Sequence, residues 1–284
     1  MKDHTTLETP RISASSYSNT APLIWSFLYG SQHGRVELIL DNAPARSAEL
    51  LASGRVDAAL VPVIAYHEIE NARLIRNVCV GAREKVRSVC LVTRGGELSD
   101  VRSVALDISS RTSIVLTKII FRQFLGFEPE WRAASPDIDA MLSENDAALL
   151  IGDPALAIAE CGSQTGESKS EIRNPKSQIR KFDLAQLWKH YTGMGFVFAM
   201  WMTSRDTISI DFAAAKDEGL KHLDEIASNY SSDIGLNRDE MIRYLSQNIS
   251  YSMDDSMNAG MKLYFELGEK CGLIENLKPI RYLE

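Results

Sequence analysis

The chain has 284 residues, enough for one large domain or two lobes of ordinary size. With 45% hydrophobic and 24% charged residues it reads as a globular protein that can bury a substantial core. A net charge of −7 and a pI near 5.4 argue against nucleic acid or an anionic membrane as the main partner, so any anion must be met by a local concentration of donors.

The amino-terminal "MKDHTTLETPRIS" has no apolar stretch of the kind a secretory signal needs. No run in the chain approaches the roughly 18 apolar residues of a membrane span. The reading is a cytoplasmic protein with no membrane partner. The next segment, "RISASSYSNTAPLIWSFLYG", predicts a short strand, a hydroxyl-rich turn, an apolar helix and a glycine stop. It is followed by "AELLASGRVDAALVPV", a short amphipathic helix, a turn and a strand. From Ser103 the order repeats in "SVALDISSRTSIVLTKIIFRQFLG" and then "DAMLSENDAALLIGD", with "DAAL" recurring at residues 57–60 and 146–149.

The runs at 58–63, 86–92 and 147–151 are near-continuously apolar, as parallel strands covered on both faces should be. Strands alternating with helices imply βαβ units. The expected fold is therefore α/β with two similar lobes. Lobe 1 takes residues 1–93 plus 201–284, lobe 2 takes residues 94–200, and a polar surface insertion falls at about 162–181. That insertion, "GSQTGESKSEIRNPKSQIRK", is too poor in apolar residues to order itself, although a functional basic arm is the other reading. Beyond "FVFAMWM" helical periodicity dominates, and these helices are expected to return over lobe 1; their apolar stripes fit core packing or a partner-binding face. The last should stop at Gly272, with Leu273 and Ile274 making the contact of a glycine C-cap.

The two hydroxyl-rich turns carry the chemistry. Each follows a strand and opens a helix, where free backbone N–H groups and a partial positive charge attract anions. In the first, Thr20 is the expected N-cap and Pro22 fits the first helical turn, which leaves Ser16, Ser18 and Asn19 to face a cleft. In the second, "DISSRTSIVL", Thr112 or Ser113 is the expected cap, and Arg111 offers the planar fork that suits a carboxylate. Arg87 and Ser88, in "KVRSVCLV", open a predicted strand that could enter the same cleft. Serine and threonine are also ordinary helix caps, so each residue has a purely structural reading beside the functional one.

No Walker loop, G-x-G-x-x-G or H-E-x-x-H motif occurs, so no cofactor is expected. Cys79, Cys90, Cys161 and Cys271 lack metal-ligand spacing, and Cys79 and Cys90 read as buried thiols. His33, His67, His190 and His222 show no matching partner pattern.

Several motifs in combination, "SYSNTAPL", "VRSVCL", "ALDISSRTS", "MLSENDAALLIGDPAL", "LWKHYTGMGFVFAMW" and "ISYSMDDSMNAGMKLYFELGEKCGLI", resemble the chorismate dehydratases of the futalosine route to menaquinone, within the MqnA/MqnD family. The resemblance covers nearly the whole chain. It implies a type 2 periplasmic-binding-protein-like fold, with two crossing strands and a substrate cleft between the lobes. It implies a cofactor-independent lyase that removes water from chorismate to give 3-[(1-carboxyvinyl)oxy]benzoate. By the same resemblance Asn19 and Ser88 are the catalytic polar groups, and Thr20, Ser110, Arg111, Thr112 and Ser113 hold carboxylate, with Ser16 and Arg87 further candidates for substrate contact. No protein carboxylate or histidine is an evident base, so the enolpyruvyl carboxylate of the substrate is expected to take the C3 proton. Two departures stand out: Pro44-Ala45 replaces a frequent Pro-Ser, and the polar insertion precedes Asp183. The rival readings are the sibling 1,4-dihydroxy-6-naphthoate synthase, which "SSRTS" and "TGMGFVFAMW" match less well, and a binding protein for a small carboxylate without chemistry. Oligomeric state is left open.

Overall fold

The computed structural model describes residues 9–158 and 179–283. Most of the polar insertion, and Cys161 with it, therefore lies outside the described residues. The remainder forms two five-stranded mixed sheets flanked by helices.

In the first sheet the strands are ordered β2-β1-β3-β10-β4. β1 (Arg11–Ser15) pairs in parallel with β2 (Glu37–Asp41) and β3 (Ala58–Pro62). β4 (Arg73–Ala82) and β10 (Phe196–Thr203) complete it, and β10 runs antiparallel to both of its neighbours. The second sheet is ordered β7-β6-β8-β5-β9. β6 (Ser103–Asp107), β7 (Glu130–Ala134) and β8 (Ala147–Ile151) are mutually parallel, while β5 (Val89–Thr93) runs antiparallel to β8 and to β9 (Arg180–Asp183). The two sheets share one plan, as the sequence echo implies.

Sheet membership shifts the expected lobe boundaries. β5 belongs to the second sheet although its residues fall before position 94, and β10 belongs to the first although it starts before position 201. The apolar run at 86–92 is likewise not a parallel strand; its ladder begins at Val89 and is antiparallel. The reason is physical: a strand buried on both faces is apolar throughout whichever sheet it joins, and only its hydrogen-bonded neighbours decide direction and lobe.

α1 (Ala21–Leu28) is buried from Ala21 to Phe27, matching a sequence that is apolar but for Ser26. α2 (Pro44–Ala52) packs on β3 and β1. α3 (Arg111–Ile119) runs on into a wide π-helical turn, Ile120–Leu125. α4 (Ile138–Glu144), capped by Asp137, and the short α5 (Gly152–Ala157) flank β8, and α6 (Leu184–Thr192) leads from the second sheet back to the first.

The carboxy-terminal helices do more than cover lobe 1. α7 (Phe212–Gly219) packs on α1 and β4, but α8 (Leu223–Ile234) also touches α5. α9 (Arg238–Arg243) ends in a second π-helical turn, Tyr244–Asn248. α10 (Asp255–Lys270) lies on β10 and also meets α3. It stops as expected: Cys271 is the C-cap, Gly272 is left-handed (φ 67°), and the Leu273 N–H returns to the Gly268 carbonyl at 2.8 Å.

α10 reaches β10 through Gly260, where a Cβ would stand 2.0 Å from the Gly195 carbonyl oxygen. Nothing but hydrogen fits there, and the obstacle is backbone at the entry to a sheet strand. G260A should therefore lower stability by about 1–3 kcal/mol. A denaturant titration checks this through a lowered midpoint with unchanged slope.

Candidate active site

The carboxyl ends of β1 and β3 face those of β6 and β8 across a cavity of about 530 Å³, measured out to its open mouth. This is where open α/β sheets place ligands. One wall carries Tyr17, Asn19, Thr20 and Pro44, the other Ser109 through Ser113 with Ile151 and Gly152, and Leu60, Val80, Val89 and Phe198 give an apolar floor. An apolar cavity with a few convergent polar groups is the usual form of a small-molecule site.

Of the expected site residues, Asn19, Thr20, Ser110, Arg111, Thr112 and Ser113 come together on this cavity. Thr20 occupies the N-cap position of α1 but does not cap it; its hydroxyl turns back to the Ser15 and Tyr17 carbonyls at 2.6 and 2.8 Å. At α3 the N-cap is Ser110, two residues before Thr112 and three before Ser113, and no side chain caps the helix. The backbone N–H groups of Arg111, Thr112 and Ser113 have no acceptor among the described residues, so the helix presents open donors and the positive end of its dipole to the cavity. Pro44 brings the start of α2 to the same cavity, and Ala45, next in that helix, has no hydroxyl to add.

Other residues are placed differently. The Ser16 hydroxyl donates to Asn42 Oδ1 at 3.1 Å, away from the cavity. Ser18 bonds Asp153 instead, through its N–H at 3.1 Å and through a short hydroxyl contact, which clasps the two lobes. Arg111 reaches Glu68 at 2.6 Å, so its fork is shared between lobe closure and any ligand. Thr112 ties the lobes as well: its Oγ1 accepts from the Ile64 N–H at 3.4 Å, and its carbonyl accepts from the Tyr264 hydroxyl at 3.0 Å.

Ser88 lies behind the cavity wall, fully buried, and its Oγ has no hydrogen-bond partner. It and Asn19 face the buried hydroxyl of Tyr244, and both offset part of the rise in pKa that burial imposes on this phenol. The Tyr244 hydroxyl is also unpartnered in ordinary hydrogen-bond geometry, so the three side chains form a polar cluster with spare donors and acceptors. Arg87 adds positive potential at Tyr244. Its backbone is left-handed (φ 65°), a conformation costing a non-glycine residue about 1–3 kcal/mol.

Sequence reasoning missed Tyr244 altogether. It is a core-like residue of an amphipathic helix more than two hundred positions after Asn19, and nothing local marks it. Tyr17, Ser109, Asp107 and Asp153 carried a weak signal, since each lies inside a quoted motif. Asp107 ends β6, with Oδ1 accepting from the Ser109 hydroxyl and N–H at 2.6 and 2.9 Å, and with Oδ2 buried and unpartnered. Burial pushes the Asp107, Asp153 and Asp183 carboxyls above the ordinary carboxylate range, against the hydrogen bonds each accepts. His67 is a core histidine: burial, helped by Lys278, lowers its pKa to about 4, and Nδ1 accepts the Lys278 N–H. Among the described residues no group of three or more His, Cys, Asp or Glu side chains is arranged to hold a metal ion, and no helix is long and apolar enough to cross a membrane.

This architecture, two α/β lobes with a ligand cleft at their junction, is that of the periplasmic-binding-protein-like folds. The chain belongs to a menaquinone-biosynthesis family, whose sequence model matches residues 10–270. It is 29% identical over 258 residues to the chorismate dehydratase of Thermus thermophilus, covering 88% of this chain and 92% of that protein. A crystallographically solved protein of Archaeoglobus fulgidus is similar in structure, with TM-score 0.69 and 17% identity over 93% of this chain and 98% of that one. The periplasmic aliphatic sulphonate binding protein of Escherichia coli is similar with TM-score 0.60 and 15% identity, over 97% and 93% of the two chains. At such identities these two likenesses speak for the fold alone.

The raised carboxyls have a consequence for stability. Each binds its proton more tightly folded than unfolded, so its contribution is complete below the unfolded value of about 3.9 and is lost as pH rises through the folded value. D107N removes one such group, and its stability should decline less than the parent's as pH rises from about 4. Urea midpoints taken across that range check it; parallel curves would count against the assignment.

Proposed function

We propose that this protein is a chorismate dehydratase, eliminating water from chorismate to give 3-[(1-carboxyvinyl)oxy]benzoate. The observation that carries the reading is the pairing of the uncapped α3 amino terminus with Asn19 across one cavity. Membership of the menaquinone-biosynthesis family and the likeness to a chorismate dehydratase support it.

The chemistry asks little of a protein. The C3 proton of chorismate is vinylogously activated by the ring carboxylate, and loss of the C4 hydroxyl makes the ring aromatic. In this reading the open N–H groups of α3, with the Ser110 and Ser113 hydroxyls and Arg111, hold carboxylate. Asn19 meets the reacting centre, with the Ser88 and Tyr244 hydroxyls in the polar cluster behind it, and these neutral donors stabilise the dienolate-like charge. The enolpyruvyl carboxylate of the substrate, brought over C3 by this binding, takes the proton.

Incubating the purified protein with chorismate should yield the aromatic enol ether; recovery of intact chorismate would leave only a binding role. N19A and S88A should each lower kcat by about 10²–10³-fold, the usual effect of losing one preorganised donor, while shifting the melting temperature little. Steady-state kinetics and thermal melts of both variants check this, and unchanged turnover in both would refute the site assignment.

A further inference from the structure

We infer that Tyr17 is a further catalytic residue, the acid that gives a proton to the hydroxyl leaving the substrate ring. The inference rests on the dehydratase reading above, which supplies a base for the C3 proton but no acid for the departing oxygen. Hydroxide is a poor leaving group, and proton transfer to it lowers the barrier.

The residues lining the cavity narrow the choice. Among those described, only Tyr17 and Arg111 carry titratable side chains, and an arginine does not give up its proton in a protein. Tyr17 stays in its neutral, proton-bearing form at neutral pH, because burial and the nearby Asp107 and Asp153 carboxylates raise its pKa. It remains a far stronger acid than water, the conjugate acid of the leaving group.

The phenol ring is held by close packing. It lies over Gly152, where a Cβ would come within 3.0 Å of the ring and where the backbone is left-handed (φ 64°). Only glycine gives that conformation and that clearance together. Across the cleft stands Ser109, fixed by two hydrogen bonds to Asp107 Oδ1, at 2.6 and 2.9 Å. Tyr17 comes from the turn after β1 and Ser109 from the turn after β6, so the arrangement exists only where both lobes meet.

The atoms balance without an outside reagent. The enolpyruvyl carboxylate takes the C3 proton, and the electron pair of that bond enters the ring. The C4–O pair departs with the oxygen as the C3=C4 bond forms. Tyr17 gives its hydroxyl proton to that oxygen, making water, and the carboxylic acid formed on the substrate returns its proton to the Tyr17 oxygen.

Y17F keeps the ring over Gly152 and removes only the acid. Its kcat for chorismate should fall by about 10²–10⁴-fold, the range of a lost general acid. The KM should stay within about threefold, as expected when a group acts in the transition state alone. A chorismate analogue with chloride in place of the ring hydroxyl loses its leaving group without a proton. With it, Y17F and the unsubstituted protein should react at rates within about threefold of each other. Y17F turning over chorismate within about threefold of the unsubstituted protein, or losing as much on the chloride analogue, would overturn the role of Tyr17 while leaving the dehydratase reading intact. No turnover of chorismate by the unsubstituted protein would overturn both.

Discussion

One buried carboxylate ties together the two segments that pass between the lobes. Asp183 ends β9 and opens α6; its Oδ1 accepts the N–H groups of Val86 and Gln186 at 3.2 and 3.1 Å, and its Oδ2 accepts that of Arg87 at 2.6 Å. Backbone donors and a helix amino terminus offset its burial, and Lys85 also favours its charged form. The left-handed turn at Arg87 persists because this carboxylate holds its N–H. That turn in turn aims Ser88 toward Tyr244 and starts β5 in the second sheet. The start of β5 and the polar cluster behind Asn19 both adjoin this one interaction.

The cleft itself is built from groups left deliberately unsatisfied by their own elements. A side-chain cap on α3 would add about 1 kcal/mol of stability, yet Ser110 provides none. The Ser88 and Tyr244 hydroxyls and Asp107 Oδ2 are buried without partners. Five other helices are capped by side chains: Asp137, Asp183, Asp211, Asn237 and Asp254 each accept an N–H at a helix start. Buried polar atoms without partners also occur away from the cavity, at Thr117, Trp188 and Trp201 for example, so it is the open α3 amino terminus that sets the cleft apart.

Much of this was legible in advance. The strand–turn–helix echo, the placing of both hydroxyl-rich turns on one cleft and the glycine stop of α10 rest on local rules, of periodicity, turn composition and capping, that act within a few residues. What was misread required knowing partners. The run at 86–92 looks the same in either sheet, so the lobe boundaries moved by a strand. Thr20, Thr112 and Ser113 have capping chemistry, but their hydroxyls have other environments, and Ser16 turned to Asn42 for the same reason. The Tyr244 side chain reaches Asn19 only because the Tyr244–Asn248 turn packs against the crossing strand, with the Asn248 amide on the Lys85 carbonyl at 3.1 Å.

The sequence by itself determined that this is a two-lobed α/β protein, with hydroxyl-rich turns at the carboxyl ends of equivalent strands, because such features are written in short-range patterns of apolar and polar residues. Tertiary structure alone decided which sheet each crossing strand joins, which donors remain open, and which side chains from distant segments meet at the cavity. Those outcomes depend on long-range pairing and on competition for hydrogen bonds, where a neighbour far along the chain settles what a residue is free to do.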